Sequence, residues 1–290
     1  MTDLAPAVPA PASGRSPAEG SQIGPSAAHG GVPAPIVLVH GFTGSVGSWG
    51  GLVGALGGDG APVVPVQVPG HNPARRGPEA PDCTLGAALE IIGAASPAAV
   101  HLVGYSMGGR IALHFAAGYP ERVRSLVLES ASPGLATPEE RAARRESDEA
   151  LAARLEAGSI DAFVADWERR PLFKGAVERA PDVLARERRV RLSHRPSDLA
   201  AALRGLGTGA LPSLWDRLGE VRAPTTLIVG AQDTKFAAIA DRMASRLPMA
   251  RVAVVPGAGH TVHLDRPDAW LAEVRRHLAW ARSSSADRAP

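Results

Sequence analysis

VGYSMGG, residues 103–109, places one serine among glycines directly after an apolar run. The residues before it, AAVHLVG (98–104), have the apolar, β-branched character of a short buried strand. Those after it, GGRIALHFAAGYP (108–120), carry apolar side chains at helical spacing. Gly104-Tyr105-Ser106-Met107-Gly108 is therefore G-x-S-x-G at a strand-to-helix junction, the setting of a nucleophile elbow. Small residues let the chain reverse tightly, so the serine takes a strained backbone conformation and its hydroxyl projects above the sheet edge. Taken alone, the same string is also an ordinary glycine-rich turn with an incidental serine.

The surrounding order of elements favours the elbow. PIVLVHG (35–41), APVVPVQVPG (61–70), AVHLVG (99–104), VRSLVLESA (123–131), PTTLIVGAQD (224–233) and ARVAVVPGAGH (250–260) read as strands, and TLGAALEIIGAA (84–95) as a helix. The prolines of 61–70 place that strand near a sheet edge. Continuous apolar strands alternating with helices predict an α/β protein with a mostly parallel twisted sheet covered on both faces. Residues 136–217 break the rhythm, being helical, charged and without a convincing strand. Thr137-Pro138-Glu139-Glu140 supplies an N-cap, a proline in the first turn and a glutamate at the third position. A helical insertion downstream of the elbow predicts a cap over the site.

Composition narrows the classes. The 290 residues are 45% hydrophobic and 4% aromatic, enough for one α/β domain with an insertion. Net charge is +2 with acids interleaved throughout, so no basic stripe points to nucleic acid. Lysine occurs only at Lys174 and Lys235, so the cations are arginines, whose planar fork suits carboxylates. One cysteine, Cys83, excludes an internal disulfide and fits a reducing cytoplasm. Residues 1–34, rich in Pro, Ala, Gly and Ser, lack a signal-peptide pattern and predict a disordered tail; residues 283–290 predict a second one. The folded domain is expected over 35–282. No apolar run approaches the roughly 20 residues of a membrane helix.

A serine hydroxyl needs a base, and the base an orienting acid. In the α/β-hydrolase fold the acid and then the histidine follow the serine. Asp233 ends the strand at 224–233 and His260 follows that at 250–255, so both sit at the carboxyl edge of the sheet, beside the elbow. Asp233 alone is equally a loop-capping residue, and His260 alone an ordinary loop histidine. Their order after the right strands makes Ser106–His260–Asp233 the candidate triad. His263 is read as a loop-stabilising or solvent-facing residue, and His40 as a packing residue under the first loop. Two amides would serve a developing oxyanion: that of Met107, after the nucleophile, and that of Phe42 in HGFTGS (40–45). No metal-ligand set or phosphate loop is present in the sequence, and no cofactor is implied.

The wording of the motifs is more specific still. HGFTGSVGSW (40–49), VGYSMGGRIALHFAAGYPERVRSLVLESASPGL (103–135), RAARRESDEALAARLE (141–156), FVADWERRPLF (163–173), LRGLGTGALPSLWDRL (203–218) and VPGAGHTVHLDRP (255–267) closely resemble one family. It is the 2-succinyl-6-hydroxy-2,4-cyclohexadiene-1-carboxylate synthases, the MenH family of menaquinone synthesis. The resemblance spans roughly 36–280, cap included. It implies a lyase that expels pyruvate from 2-succinyl-5-enolpyruvyl-6-hydroxy-3-cyclohexene-1-carboxylate, a polycarboxylate. It implies that Arg110, Arg144 and a third arginine bind carboxylates and that Tyr105 and Trp167 line the pocket. The third arginine falls in RRVRLSH (188–194), at Arg191, or at Arg188 or Arg189 in neighbouring registers. Arg144 is equally an exposed partner of Asp148 at i,i+4. The family's PGHG loop reads Pro69-Gly70-His71-Asn72 here, losing its last glycine. Competing readings are a serine carboxylesterase or carbon–carbon hydrolase acting through an acyl-enzyme, and a non-catalytic binding protein of the same fold.

Overall fold

The computed structural model describes residues 33–286 apart from 59, 78, 97 and 174–178. Six strands form one sheet: β1 (Ile36–Val39), β2 (Val63–Val66), β3 (Val100–Tyr105), β4 (Val123–Glu129), β5 (Thr225–Gly230) and β6 (Ala250–Val255). Their order is β2-β1-β3-β4-β5-β6 and every pairing is parallel. The edge strand β2 holds Pro65, whose missing N–H an edge position tolerates.

The helices are α1 (Leu52–Gly57), α2 (Leu85–Ala94), α3 (Met107–Gly118), α4 (Pro138–Ala157), α5 (Ile160–Glu168), α6 (Pro181–Leu192), α7 (Pro196–Leu206), α8 (Thr234–Ala244), α9 (Val262–Asp265) and α10 (Pro267–Ala286). Alternate residues of each central strand feed two separate cores. Val37, Leu102, Leu126 and Leu227 pack under α2, α3 and α8, whereas Ile36, Val103, Val127 and Ile228 pack against α1 and α10. Burial on both faces explains why these strands read as continuous apolar runs.

Helices α4 to α7 lie between β4 and β5 and have a third core of their own, with Leu151, Leu155, Phe163 and Leu203 at its centre. The α4 capping box is present: Thr137 accepts from the Glu140 amide, and the Glu140 carboxylate accepts from the Thr137 amide. The two roots of the insertion are tied together, since Leu214 donates to the Pro133 carbonyl at 2.8 Å and the Trp215 indole to that of Gly134 at 3.1 Å.

The expected N-terminal tail lies outside the described residues but for its last two. At the other end the structure corrects the boundary, because α10 continues through Ser283 to Ala286 rather than stopping at 282. Its buried face, Trp270, Val274, Leu278 and Ala281, carries the helix on, and Ser283 bonds back to the Trp280 carbonyl. No described helix is long and apolar enough to cross a membrane.

Burial holds several histidines neutral. Desolvation lowers His40, His101 and His114 to about 4 and His277 to about 3. The unfolded chain takes up protons near pH 6.5 that the folded chain refuses, so stability falls as pH drops from 6.5 towards 4. For His40 alone, 1% exposed, that window is worth about 3 kcal/mol. Thermal unfolding is expected to move to markedly lower temperature between pH 7 and pH 5, and an unchanged midpoint would contradict this assignment.

Candidate active site

The elbow is built by contact. Ser106 has φ 51° and ψ −109°, between the end of β3 and the first turn of α3. A Cβ on Gly104 would lie 2.6 Å from the Gly109 Cα, and one on Gly108 only 2.3 Å from the His40 carbonyl oxygen. Helix, strand and first loop approach each other so closely that only glycine fits. The Ser106 amide donates to the Glu129 carbonyl at 2.9 Å, which fixes the serine to the neighbouring strand.

The residues expected to act with it are brought together. His260 Nε2 lies 3.1 Å from Ser106 Oγ, and Nδ1 lies 2.6 Å from Asp233 Oδ2. With Nδ1–H donating to the aspartate, Nε2 is left to accept from the serine hydroxyl. Asp233 sits where both readings left open by the sequence would place it: one oxygen faces His260, and the other caps α8 by accepting from the Phe236 amide. His260 is 2% exposed and its ring rests against Phe236, with centroids 4.6 Å apart.

Phe42 and Met107 line one cavity together with Ser106 and His260. Met107 is the first residue of α3, so its amide has no acceptor inside the helix. His40 packs beneath the loop: it accepts from the Val68 amide and donates through Nδ1 to the Gly41 carbonyl at 2.9 Å.

The cavity, about 560 Å³, lies between the sheet edge and the cap. Tyr105, Arg110, Arg144 and Trp167 line it. Tyr105 donates to or accepts from Thr261 at 2.9 Å, and burial raises its hydroxyl pKa. Arg110 sits in the first turn of α3, 7% exposed, with its Nε unpartnered and one weak bond to the Leu206 carbonyl at 3.4 Å. Burial, then the nearby Arg144, pull its pKa down to about 10, so it stays charged at neutral pH. Arg144 lines the cavity and also binds Asp148 at 2.8 Å, the i,i+4 pair that its sequence position allows.

Arg191 lies elsewhere. Its guanidinium pairs with Glu168 at 3.2 Å and Glu187 at 3.8 Å, and it lines a small recess beside Tyr105 and Phe173 rather than the large cavity. The two acids on its own and the neighbouring helix hold it there; Arg188, one alternative, is likewise paired with Glu168. Three cations that sequence reasoning missed do face the cavity: Arg154, Arg170 and Lys235. Arg170 stacks over Trp167 at 4.6 Å. Residues 144, 147, 151 and 154 of α4 all line the cavity, and their three- and four-residue spacing was a readable signal for Arg154.

His263 is buried rather than solvent-facing: Glu129, fully buried, accepts from its amide and ring nitrogen at 3.1 and 2.9 Å. One turn on, Asp265 accepts from the Gly259 amide at 2.8 Å and from Arg179 at 2.7 Å. Both acids brace the loop that carries His260. Among the described residues, no cluster of three or more His, Cys, Asp or Glu is placed to hold a metal.

The sequence matches the alpha/beta hydrolase fold family over residues 34–267. It is 41% identical to a putative 2-succinyl-6-hydroxy-2,4-cyclohexadiene-1-carboxylate synthase of Bacillus subtilis, covering 80% of this chain and 85% of that protein. Its structure is similar to MenH from S. aureus, with a TM-score of 0.80 and 31% identity, covering 86% of this chain and 94% of that one. It is also similar to a thermophilic esterase from Thermogutta terrifontis solved with malate bound, with a TM-score of 0.74 and 25% identity over 87% and 91% of the two chains. With its elbow, its ordered triad partners and these matches, the chain belongs to the α/β-hydrolase fold family and, within it, to the 2-succinyl-6-hydroxy-2,4-cyclohexadiene-1-carboxylate synthases, lyases of menaquinone biosynthesis.

Proposed function

We propose that Ser106, His260 and Asp233 drive this elimination by moving a proton, without forming an acyl-enzyme. The substrate has a ring hydrogen α to the succinyl carbonyl and an enolpyruvyl ether three ring bonds away. Ser106 Oγ takes that hydrogen as it passes its own proton to His260 Nε2, and Asp233 steadies the resulting imidazolium. The electron pair moves onto the succinyl oxygen, where the Phe42 and Met107 amides stabilise the enolate. When the carbonyl reforms, the ring double bond shifts and the C–O bond to the enolpyruvyl group breaks. The ring leaves as a 2,4-diene. The departing enolate recovers the proton held by His260 and becomes pyruvate, so no water is consumed.

The observation that carries this reading is Arg110. It is a buried cation in the first turn of a helix, where the helix dipole disfavours positive charge; among the described residues no carboxylate lies within ion-pair distance of it, and Asp148, already bound to Arg144, offsets its charge only from farther away. A substrate carboxylate would complete it. Arg144, Arg154, Arg170 and Lys235 add further positive charge, and Asp148 is the one acid among the described residues that line the cavity. A neutral ester gains nothing from such a surplus, whereas a polycarboxylate does.

The purified protein is expected to release pyruvate and diene in equal amounts from the enolpyruvyl cyclohexene. Ser106→Ala should lower kcat by roughly a thousandfold or more. Rapid hydrolysis of simple activated esters with no pyruvate release would instead support the esterase reading. Arg110→Met is expected to lower kcat/KM by roughly 10- to 100-fold, the range of a lost charge-assisted pair. Because the replacement also removes a buried charge that Asp148 offsets only from a distance, its thermal midpoint should stay level or rise. Wild-type kinetics in that variant would remove Arg110 from the binding site.

A further inference from the structure

The loop that carries the Phe42 amide has an unusual backbone. Thr43 has φ 64°, a left-handed conformation that β-branched residues rarely adopt, and it is 4% exposed. Such a conformation persists only where the surroundings hold it. From the core side, the Gly41 carbonyl accepts from the His40 ring and from the Gly44 amide. From the cap side, the Thr43 carbonyl accepts from His194 Nε2 at 3.1 Å.

His194 stands in the turn between α6 and α7 and is 4% exposed. Its ring meets that of His71 edge-on at 5.5 Å, and His71 in turn meets the rings of His40 at 5.2 Å and Phe42 at 5.5 Å. Burial lowers the pKa of all three histidines, and His71 donates through Nδ1 to the Pro69 carbonyl. A neutral His194 that donates through Nε2 has a bare Nδ1, and that atom is buried with no hydrogen-bond partner among the described residues. The cap therefore spends an unsatisfied buried nitrogen to make one bond to this loop. A purely apolar contact would have closed the gap without that cost.

We infer that His194 is a positioning residue for the oxyanion site, holding the Thr43 carbonyl so that the Phe42 amide, two peptide units earlier in the same loop, faces the reacting oxygen. The cap thus shapes the catalytic loop as well as the pocket above it. The inference rests on the proposed role of the Phe42 amide in stabilising an enolate. An amide that acts only on developing charge affects kcat more than KM, so misplacing it should leave a distinct kinetic mark.

The test compares three variants in the pyruvate-release assay. His194→Phe keeps a ring against His71 and loses the donor. His194→Asn keeps polarity, but its amide is too short to occupy the Nε2 position. His194→Gln places an amide nitrogen near that position. The expected result is a kcat about tenfold lower for Phe and for Asn, with KM within about twofold of wild type, and recovery of most of the loss in Gln. A Phe or Asn variant with wild-type kcat overturns the inference. So does a Gln variant that folds with the wild-type thermal midpoint and is no faster than Phe. If His194→Phe does not fold, the Asn and Gln pair decides alone. Failure of the underlying reading looks different, because the wild-type protein would then release no pyruvate at all.

Discussion

The first turn of α3 lies directly against the end of β1, with no room for a side chain between Gly108 and the His40 carbonyl. This approach sets the geometry of the site. It brings the free amide of Met107 next to the loop of Phe42, and it forces Ser106 into a positive-φ conformation that lifts its hydroxyl over the sheet edge. A methyl group at position 108 would push the helix away and separate the two amides from each other. The strain at Ser106 is offset by burial of α3 along nearly its whole length, with eleven of its residues buried. The packing of a helix thus determines where the Ser106 oxygen stands.

Acids at the strand ends form the second layer. Asp233 closes β5 and orients His260; Glu129 closes β4 and holds His263; Asp265 follows β6 and holds Gly259. Asp265 also takes Arg179, and both side chains are buried, so removing either partner would strand a charge. The histidine loop is therefore fixed at three points around one mobile proton. That rigidity suits the proposed elimination, in which the protein moves protons and forms no covalent bond to the substrate.

Much of this was legible in the chain. Strand-to-helix alternation and G-x-S-x-G located the sheet and Ser106, and the order of Asp233 and His260 after their strands completed the set. Those signals are local, since each depends on a few neighbours and a period of two or 3.6 residues. What the sequence hid was long-range pairing. Whether Arg191 faces a substrate depends on Glu168, in another helix, and nothing in RRVRLSH shows that Glu168 and Glu187 would claim it. The burial of His263 depends on Glu129, an acid ending an apolar strand far earlier in the chain. Arg170 reaches the cavity stacked over Trp167, a pairing that nothing in DWERRP announces. The extent of α10 was missed because SSSA carries no helical signal of its own, whereas the buried face before it does.

The cavity joins a serine able to act as nucleophile to a field of cations able to hold a polycarboxylate, and the account assigns Ser106 to proton transfer alone. Intact-protein mass measurement after acid quench in steady turnover tests that assignment most directly, because an acyl-enzyme would survive the quench as added mass on Ser106. Unmodified protein is expected at every time point while pyruvate accumulates. A substrate-derived adduct on Ser106, formed and consumed at the rate of turnover, would contradict it.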